Sequence, residues 1–437
     1  MKNIKTNWVF NDLPGFRTVN DFATYYEFPY ENLPPIPEDT DEDFSWIISQ
    51  RERGMGGNLD GTIELAKQND IELPQSLHVF IEKKLQKYML SSTDYYFDSG
   101  EKVTRTQNPS GFLLHLIADS QWCYHWYLFV GDNGEHCVLG CVEPYGYEEY
   151  ASVNQSVVNI EGSELELCSP SFFEFIYRFW IENEIWFSLA YTCNNILTPR
   201  MVEYLAHYAA VVTKQNLNTV QNRTIYEGCT FYLSDKLPAL KGCIFQDCSF
   251  RDAQTEFEKL DNCRFIRCNF NKVIFHDSSP KFQGGIANSL VVQGNIYDLE
   301  WLDGLHEIEE LRICHMNISS SRQVKLRTAT TCIKSIVIDN VDISNVIFSD
   351  LNRSKPNGIK GLQKVTIINA NVFAAHINQW NIAQIKHLHF KQVKLNPPVA
   401  KALLKSDNLE EMCFEETFYP EIHLLKQALP HCKIRQI

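Results

Sequence analysis

The sequence predicts two folds in one chain: an α+β domain, with helices packed on an antiparallel sheet, followed by a parallel β solenoid of degenerate repeats. Three observations predict it. Residues 1–216 hold 31 Asp and Glu against 14 Lys and Arg, whereas residues 217–437 hold 23 against 26, so composition changes midway. Before residue 190, segments of helical period alternate with segments of period two. Beyond residue 217, apolar residues return at one fixed spacing in units of about 20 to 29 residues.

Residues 1–49 read as an irregular N-terminal arm, because Pro34, Pro35 and Pro37 lead into the acidic run from Glu38 to Asp43. Asp39, Asp41 and Asp43 alternate like the start of a calcium loop, but Phe44 and Gln50 stand where such a loop needs Gly and Glu. The glycine-rich GMGGNLDG from Gly54 lacks the spacing of a dinucleotide fingerprint and follows charged residues, so it reads as a loop.

Residues 50–192 form the α+β domain. Ile63, Leu65 and Ala66 mark a first helix, and ELPQSLHVFIEKKL a second, with Pro74 at its start and Leu77, Phe80, Ile81 and Leu85 on one face. GFLLHLI from Gly111 alternates as a strand, and CYHWYLFV and EHCVLGCV form a hairpin around Asn133-Gly134. SPSFFEFIYRFWIENEIWF then opens an apolar helix, with Pro170 in its first turn and Ser171 three residues before Glu174 in capping-box spacing. Together LAKQNDIELPQSLHVFI, the strand pair and FFEFIYRFWIENEIWF resemble the SUKH superfamily of cell-wall-assembly regulators and bacterial immunity proteins. Leu73 and Pro74 hold its most recognisable pair. The resemblance implies a binding protein without chemistry of its own, often one that neutralises a toxin.

Residues 193–216 read as a junction and capping helix, with Thr198 as N-cap and Pro199 at the first helical position. Residues 217–437 form the solenoid. Leu237, Leu240, Cys243, Phe245, Cys248 and Phe250 match Phe257, Leu260, Cys263, Phe265, Cys268 and Phe270 twenty residues later. The same frame returns at Leu290 and Val292, Leu311 and Ile313, Ile336 and Ile338, Val365 and Ile367, Leu388 and Phe390, and Met412 and Phe414. This frame resembles the leucine-rich repeat, with Cys248, Cys268 and Asn295 in its Asn/Cys slot. An alternative stays open for residues 217–280, because Cys243, Cys248 and Ala253, then Cys263, Cys268 and Val273, recur every five residues as in pentapeptide-repeat β-helices.

Function follows from what is present and what is missing. The chain carries no uncharged apolar run of about 18 residues, so no membrane span is expected. Its N-terminus lacks a signal-peptide core and its fourteen cysteines form no C-x-x-C pair, which points to thiols in a cytoplasmic protein. No nucleophile elbow, zinc-protease helix or phosphate loop occurs, so no catalytic residue, metal or cofactor is expected. His387 and His389 flank one strand position without a third ligand, and Asp119 with His115 or His125 makes an acid–base pairing of the kind that any histidine-containing sheet offers. The expected role is a non-catalytic module for a basic protein partner, an immunity protein acting by occlusion; an adaptor for cell-wall or signalling partners and an enzyme sited in the N-terminal sheet are the alternatives. An acidic half repels phosphate backbones, so nucleic acid is not expected as a ligand. On the solenoid, alternation of strand side chains selects Arg264, Arg312, Asp339, Lys364, His387, His389, Lys391, Glu415, Lys433 and Arg435 as an outward ladder for partner binding.

Overall fold

The computed structural model describes residues 4–10, 13, 16–17, 26–47, 55–148, 157–190, 197–233, 236–237, 239–251, 255–276, 280–294, 299–316, 324–326, 330–341, 346–348, 359–372, 384–396, 398–404, 406 and 408–437. Gln50, Gly54, Ala253 and Asn295, named above, lie outside the described residues. The chain divides into two compact units, residues 1–191 with 197–207, and residues 192–196 with 208–437.

The first unit is built on a seven-stranded mixed sheet accompanied by helices. Its order is Val157–Asn159, Thr104–Gln107, Gly111–Asp119, His125–Gly131, His136–Cys141, Glu166–Ser169, with Tyr95–Phe97 also paired to Gly111–Asp119. The predicted hairpin is present, His125 facing Cys141 and Val130 facing His136 around a turn in which Gly134 has a φ of 83°. The sheet is not wholly antiparallel: Thr104–Gln107 and Val157–Asn159 run parallel, with Arg105 opposite Val157. No hairpin joins those two strands, so nothing local dictates an antiparallel course.

Helices form at Asp60–Gln68, Gln75–Glu82, Phe172–Ala190 and Pro199–Leu205. The caps act as their chemistry requires. Ser171 Oγ accepts from the Glu174 amide at 3.1 Å, and Thr198 caps the amide of Met201 with Pro199 in the first turn. Glu174 does not close the box; its carboxylate takes the Tyr30 hydroxyl at 2.5 Å. The helix expected as the solenoid's cap belongs to the first unit.

Residues 1–49, expected as an irregular arm, contain ordered pieces. Trp8–Phe10 pairs antiparallel with Tyr26–Phe28, and Thr6 bridges Leu167 beside the sheet. Trp8 and Arg17 are buried, and both reach Glu182: the indole at 2.8 Å and the guanidinium at 2.8 and 2.6 Å. The Tyr204 hydroxyl adds a fourth donor at 2.7 Å. A carboxylate removed from water needs this full complement, because an unpaired buried charge is costly. Trp46 packs against Phe173, Tyr177 and Trp180 of the long helix.

The second unit is a parallel β solenoid. Its main sheet has sixteen strands, and its main path runs from Ala210–Thr213 through Arg264–His276, Lys281–Gly294, Glu307–Met316, Cys332–Asp339, Lys364–Ile368, His387–Lys391 and Glu411–Glu415 to Lys433–Gln436. Leu290, Leu311, Ile336, Val365, Leu388 and Met412 stack in register. Leu311, Ile338 and Leu388 are buried in the common core.

The early coils have a different cross-section. Short strands at Thr224–Glu227, Thr230–Phe231, Lys236–Leu237 and Leu240–Lys241 lie on successive sides, and each pairs with its counterpart in another coil. Buried side chains recur in pairs five residues apart, at Cys243 and Phe245, Cys248 and Phe250, Cys263 and Phe265, Cys268 and Phe270, and Val273 and Phe275. This is the five-residue alternative. It also shifts the frame: Phe257 and Phe275, not Phe265, share the column of Val292, Ile313 and Ile338.

Rings stack down the axis, Tyr226 on Phe245 at 5.2 Å, Phe245 on Phe265 at 4.9 Å, and Phe231, Phe250 and Phe270 at 4.9 Å per step. That rise matches the interstrand spacing of about 4.7 to 4.9 Å. Thiols donate to carbonyls across coils, Cys248 to Tyr226 at 3.4 Å and Cys268 to Phe245 at 3.1 Å. The cysteines thus satisfy backbone groups while filling small inward slots.

Candidate interaction surface

The outward ladder falls into rows set by strand register. Lys364, His387, Glu411 and Lys433 form one row, and Thr366, His389, Cys413 and Arg435 the next. Asp339, Ile368, Lys391 and Glu415 form the third. Nine of the ten expected residues stand on this face partly or fully exposed.

Arg264 does not. It points away from the common core, between Ile244 and Lys281 in register, yet it is only 4% exposed. Ile244 and Ile266 on the same side are also buried, and that side is not the ladder's: the row of Arg312 continues through Val291 to Ile274, not to Arg264. Alternation predicts direction from the strand and says nothing of what covers it.

The exposed members engage charges on neighbouring strands. Arg312 pairs diagonally with Asp339, and Arg435 with Glu411. Glu415 receives Lys391 at 2.6 Å and lies 2.9 Å from His389. The Lys391 hydrogen bond, aided by the nearby histidine, holds the Glu415 carboxyl below the usual carboxylate range. His387 lies 4.0 Å from Glu410 and 3.8 Å from Glu411. Lys364 and Lys433 remain exposed at the row's edge. Sequence reasoning missed Glu410, Glu411, and Lys334 with its partners Glu307 and Glu309. Their signal was available as opposite charges in like slots of successive units. Exposed pairs of this kind contribute about 0 to 1 kcal/mol each, so they set register more than stability.

Towards the earlier coils the same face turns apolar. Ile274, Val291 and Cys314 form a small buried cluster in adjoining rows, and Val337 is 7% exposed. Arg312 stands between Val291 and Val337. The surface therefore joins an apolar strip to a ladder of mutually neutralised charges.

In the first unit, Asp119 does not meet the histidines as an acid–base pair. Its carboxylate accepts the backbone amides of Cys123 at 2.6 Å and Tyr124 at 3.1 Å. His115 and His125, both buried, face each other with Nε2 3.0 Å from Nδ1. Nearby, Glu161, Glu164, Glu166, Ile160, Leu165 and Val142 line a hollow of about 430 Å³. Lys5 at its rim pairs with Glu166 at 2.6 Å. Among the described residues, no helix is long and apolar enough to cross a membrane. No family model matches the chain, and neither a curated protein nor a solved structure matches it.

Proposed function

We propose that the chain is a non-catalytic cytoplasmic module that binds a basic protein through its first unit and acts by occlusion, in the manner of an immunity protein neutralising a toxin. The observation that carries this reading is the excess of acid in residues 1–216, 31 acidic against 14 basic residues. Such a field accelerates the approach of a positive partner and repels nucleic acid. The hollow rimmed by Glu161 and Glu164, floored by Ile160 and Leu165, offers carboxylates beside an apolar surface. That combination suits a Lys or Arg, whose stem is apolar and whose head is charged.

The SUKH-like reading of the first unit rests on the order of its elements. In that reading the helices cover one face of the sheet, a view supported by the contacts of Tyr95 with Phe179 at 5.9 Å and Phe80 with Phe97 at 5.7 Å. The leucine-rich resemblance is kept for the later coils, where the two-slot frame and the strand register agree. The solenoid supplies a second surface through its ladder, with Arg312 as the favoured anchor.

The test has two steps. Proteins retained by the full chain are identified, and the association rate of the purified partner is measured against salt. A basic partner whose association slows as the Debye length falls from about 10 Å at 0.1 M to about 3 Å at 1 M supports the reading. A salt-independent rate, or an acidic partner, overturns it.

A further inference from the structure

The buried histidine pair fixes its own proton positions. The main-chain carbonyl of Asp98 can only accept, so Nδ1 of His115, 2.9 Å away, carries a proton. The Tyr147 hydroxyl, 3.1 Å from that nitrogen, gives its own proton to the Asp98 carboxylate at 2.6 Å. A neutral His115 then has its lone pair on Nε2, and Nδ1 of His125 must be the donor across the 3.0 Å contact. The chain ends on Nε2 of His125, a buried lone pair without a hydrogen-bond partner.

Protonation therefore has one place to begin. Burial, and after it the neighbouring His115, push the His125 ring down to about 4 against the opposing pull of the Asp119 carboxylate and, less, of the Trp122 main chain and Asp98. Burial likewise lowers His115. A first proton on His125 places a charge in a buried site, and a further one, on His115 Nε2, would set two N–H groups against each other across the contact and break it. The groups facing the pair are Asp98 from the loop after Tyr95–Phe97, Asp119 at the end of the central strand, Tyr127 on the strand of His125, and Cys141 opposite His125. Tyr96 and Glu101 act at one remove, through Tyr147.

The same chain fastens two covering segments to the sheet. Asp98 is tied to Leu116 by its amide at 3.0 Å, and the amides of Glu101 and Lys102 both reach the Gly146 carbonyl. The Tyr147 ring packs on Trp122 at 4.7 Å. We propose that the His115–His125 pair is an acid-operated latch: neutral, it holds residues 98–102 and 143–147 on the sheet, and proton uptake releases them. The opened state takes up protons at ordinary histidine pH and the closed state resists them. Closure is therefore fully favoured above about pH 6.5 and is lost as pH falls towards the depressed value.

The test is hydrogen exchange on the full chain, corrected for intrinsic rates, at about pH 7.5 and about pH 5. Protection of residues 98–102 and 143–147 is expected to fall by about tenfold or more at the lower pH, since one unit of differential proton affinity is a factor of ten. Replacing both rings, His115→Gln with His125→Phe, should remove that dependence while leaving the rest of the sheet's exchange unchanged. Where that variant fails to fold, nitrogen NMR of the native histidines decides: both rings should carry their proton on Nδ1 and titrate well below 6.5. Equal protection at both pH values, or rings titrating near 6.5, would overturn the latch.

Discussion

Replacing Phe265 by Ala tests the placement of the early coils most directly. The ring is fully buried; it stacks on Phe245 at 4.9 Å and 7° and meets Phe257 edge-on at 5.5 Å and Phe270 at 5.4 Å. It also touches Phe282 at 5.5 Å. Truncating a buried Phe costs about 3 to 5 kcal/mol. Each well-formed aromatic pair adds about 0.5 to 1.5 kcal/mol beyond area, which puts this site at the upper end. That is a large part of the roughly 5 to 15 kcal/mol that stabilises a domain. Urea denaturation followed by circular dichroism gives the total, and hydrogen exchange gives its location. Because coils contact only their neighbours, protection should be lost between about residues 244 and 282 first. A loss below about 1 kcal/mol, or one spread evenly over the chain, would refute the inward stacking of this column.

Three further outcomes are expected. Arg17→Ala should destabilise the first unit by about 3 to 5 kcal/mol in thermal or chemical denaturation, since it strands the buried Glu182 carboxylate, and Glu182→Gln should destabilise it comparably, because an amide nitrogen in place of either oxygen would meet only donors and Arg17 would lose its counter-charge. Arg312→Ala, measured alongside His389→Ala, should change stability by less than about 1 kcal/mol, because the Asp339 pair lies at the surface. If the ladder is an interface, the same Arg312 variant should weaken partner binding by about 2 kcal/mol or more; unchanged affinity in both variants assigns binding to the first unit alone. Acidification should loosen the Lys391–Glu415 pair as pH falls through the lowered Glu415 value, detectable as reduced protection of the amides of residues 391 and 415 once intrinsic exchange rates are divided out.

Local chemistry was legible in the sequence, whereas distant partnership was not. The Ser171 cap, the Asn133-Gly134 hairpin and the Thr198-Pro199 helix start all depend on residues within a few positions, and each formed as its spacing required. The arm misled because its anchor, Glu182, lies 165 residues from Arg17. The early repeat frame slipped because a period of twenty is shared by a two-slot unit and by four sides of five residues. Only the strand register, which sets Val273 and Phe275 rather than Cys263 and Phe265 beside Leu290 and Val292, separates them. The ladder was found, but not its pairing. Which charge faces which depends on coils of unequal length, and Arg312 reaches Asp339 across 27 residues.

The pairing between strands makes coil order a matter of address. Arg267 is matched to Asp247 in the coil before it, Arg312 to Asp339 in the coil after it, and Lys391 and Arg435 to glutamates of the strand between them. Excising the coil that bears Glu411 and Glu415 would set His387 opposite Lys433 and strip Lys391 of its acceptor. Duplicating a single coil would place like beside like. The wall is thus built of pieces that are alike in section but not interchangeable, each carrying the counterpart of its neighbour, and it can lengthen only by the insertion of coils whose charges answer both sides of the gap.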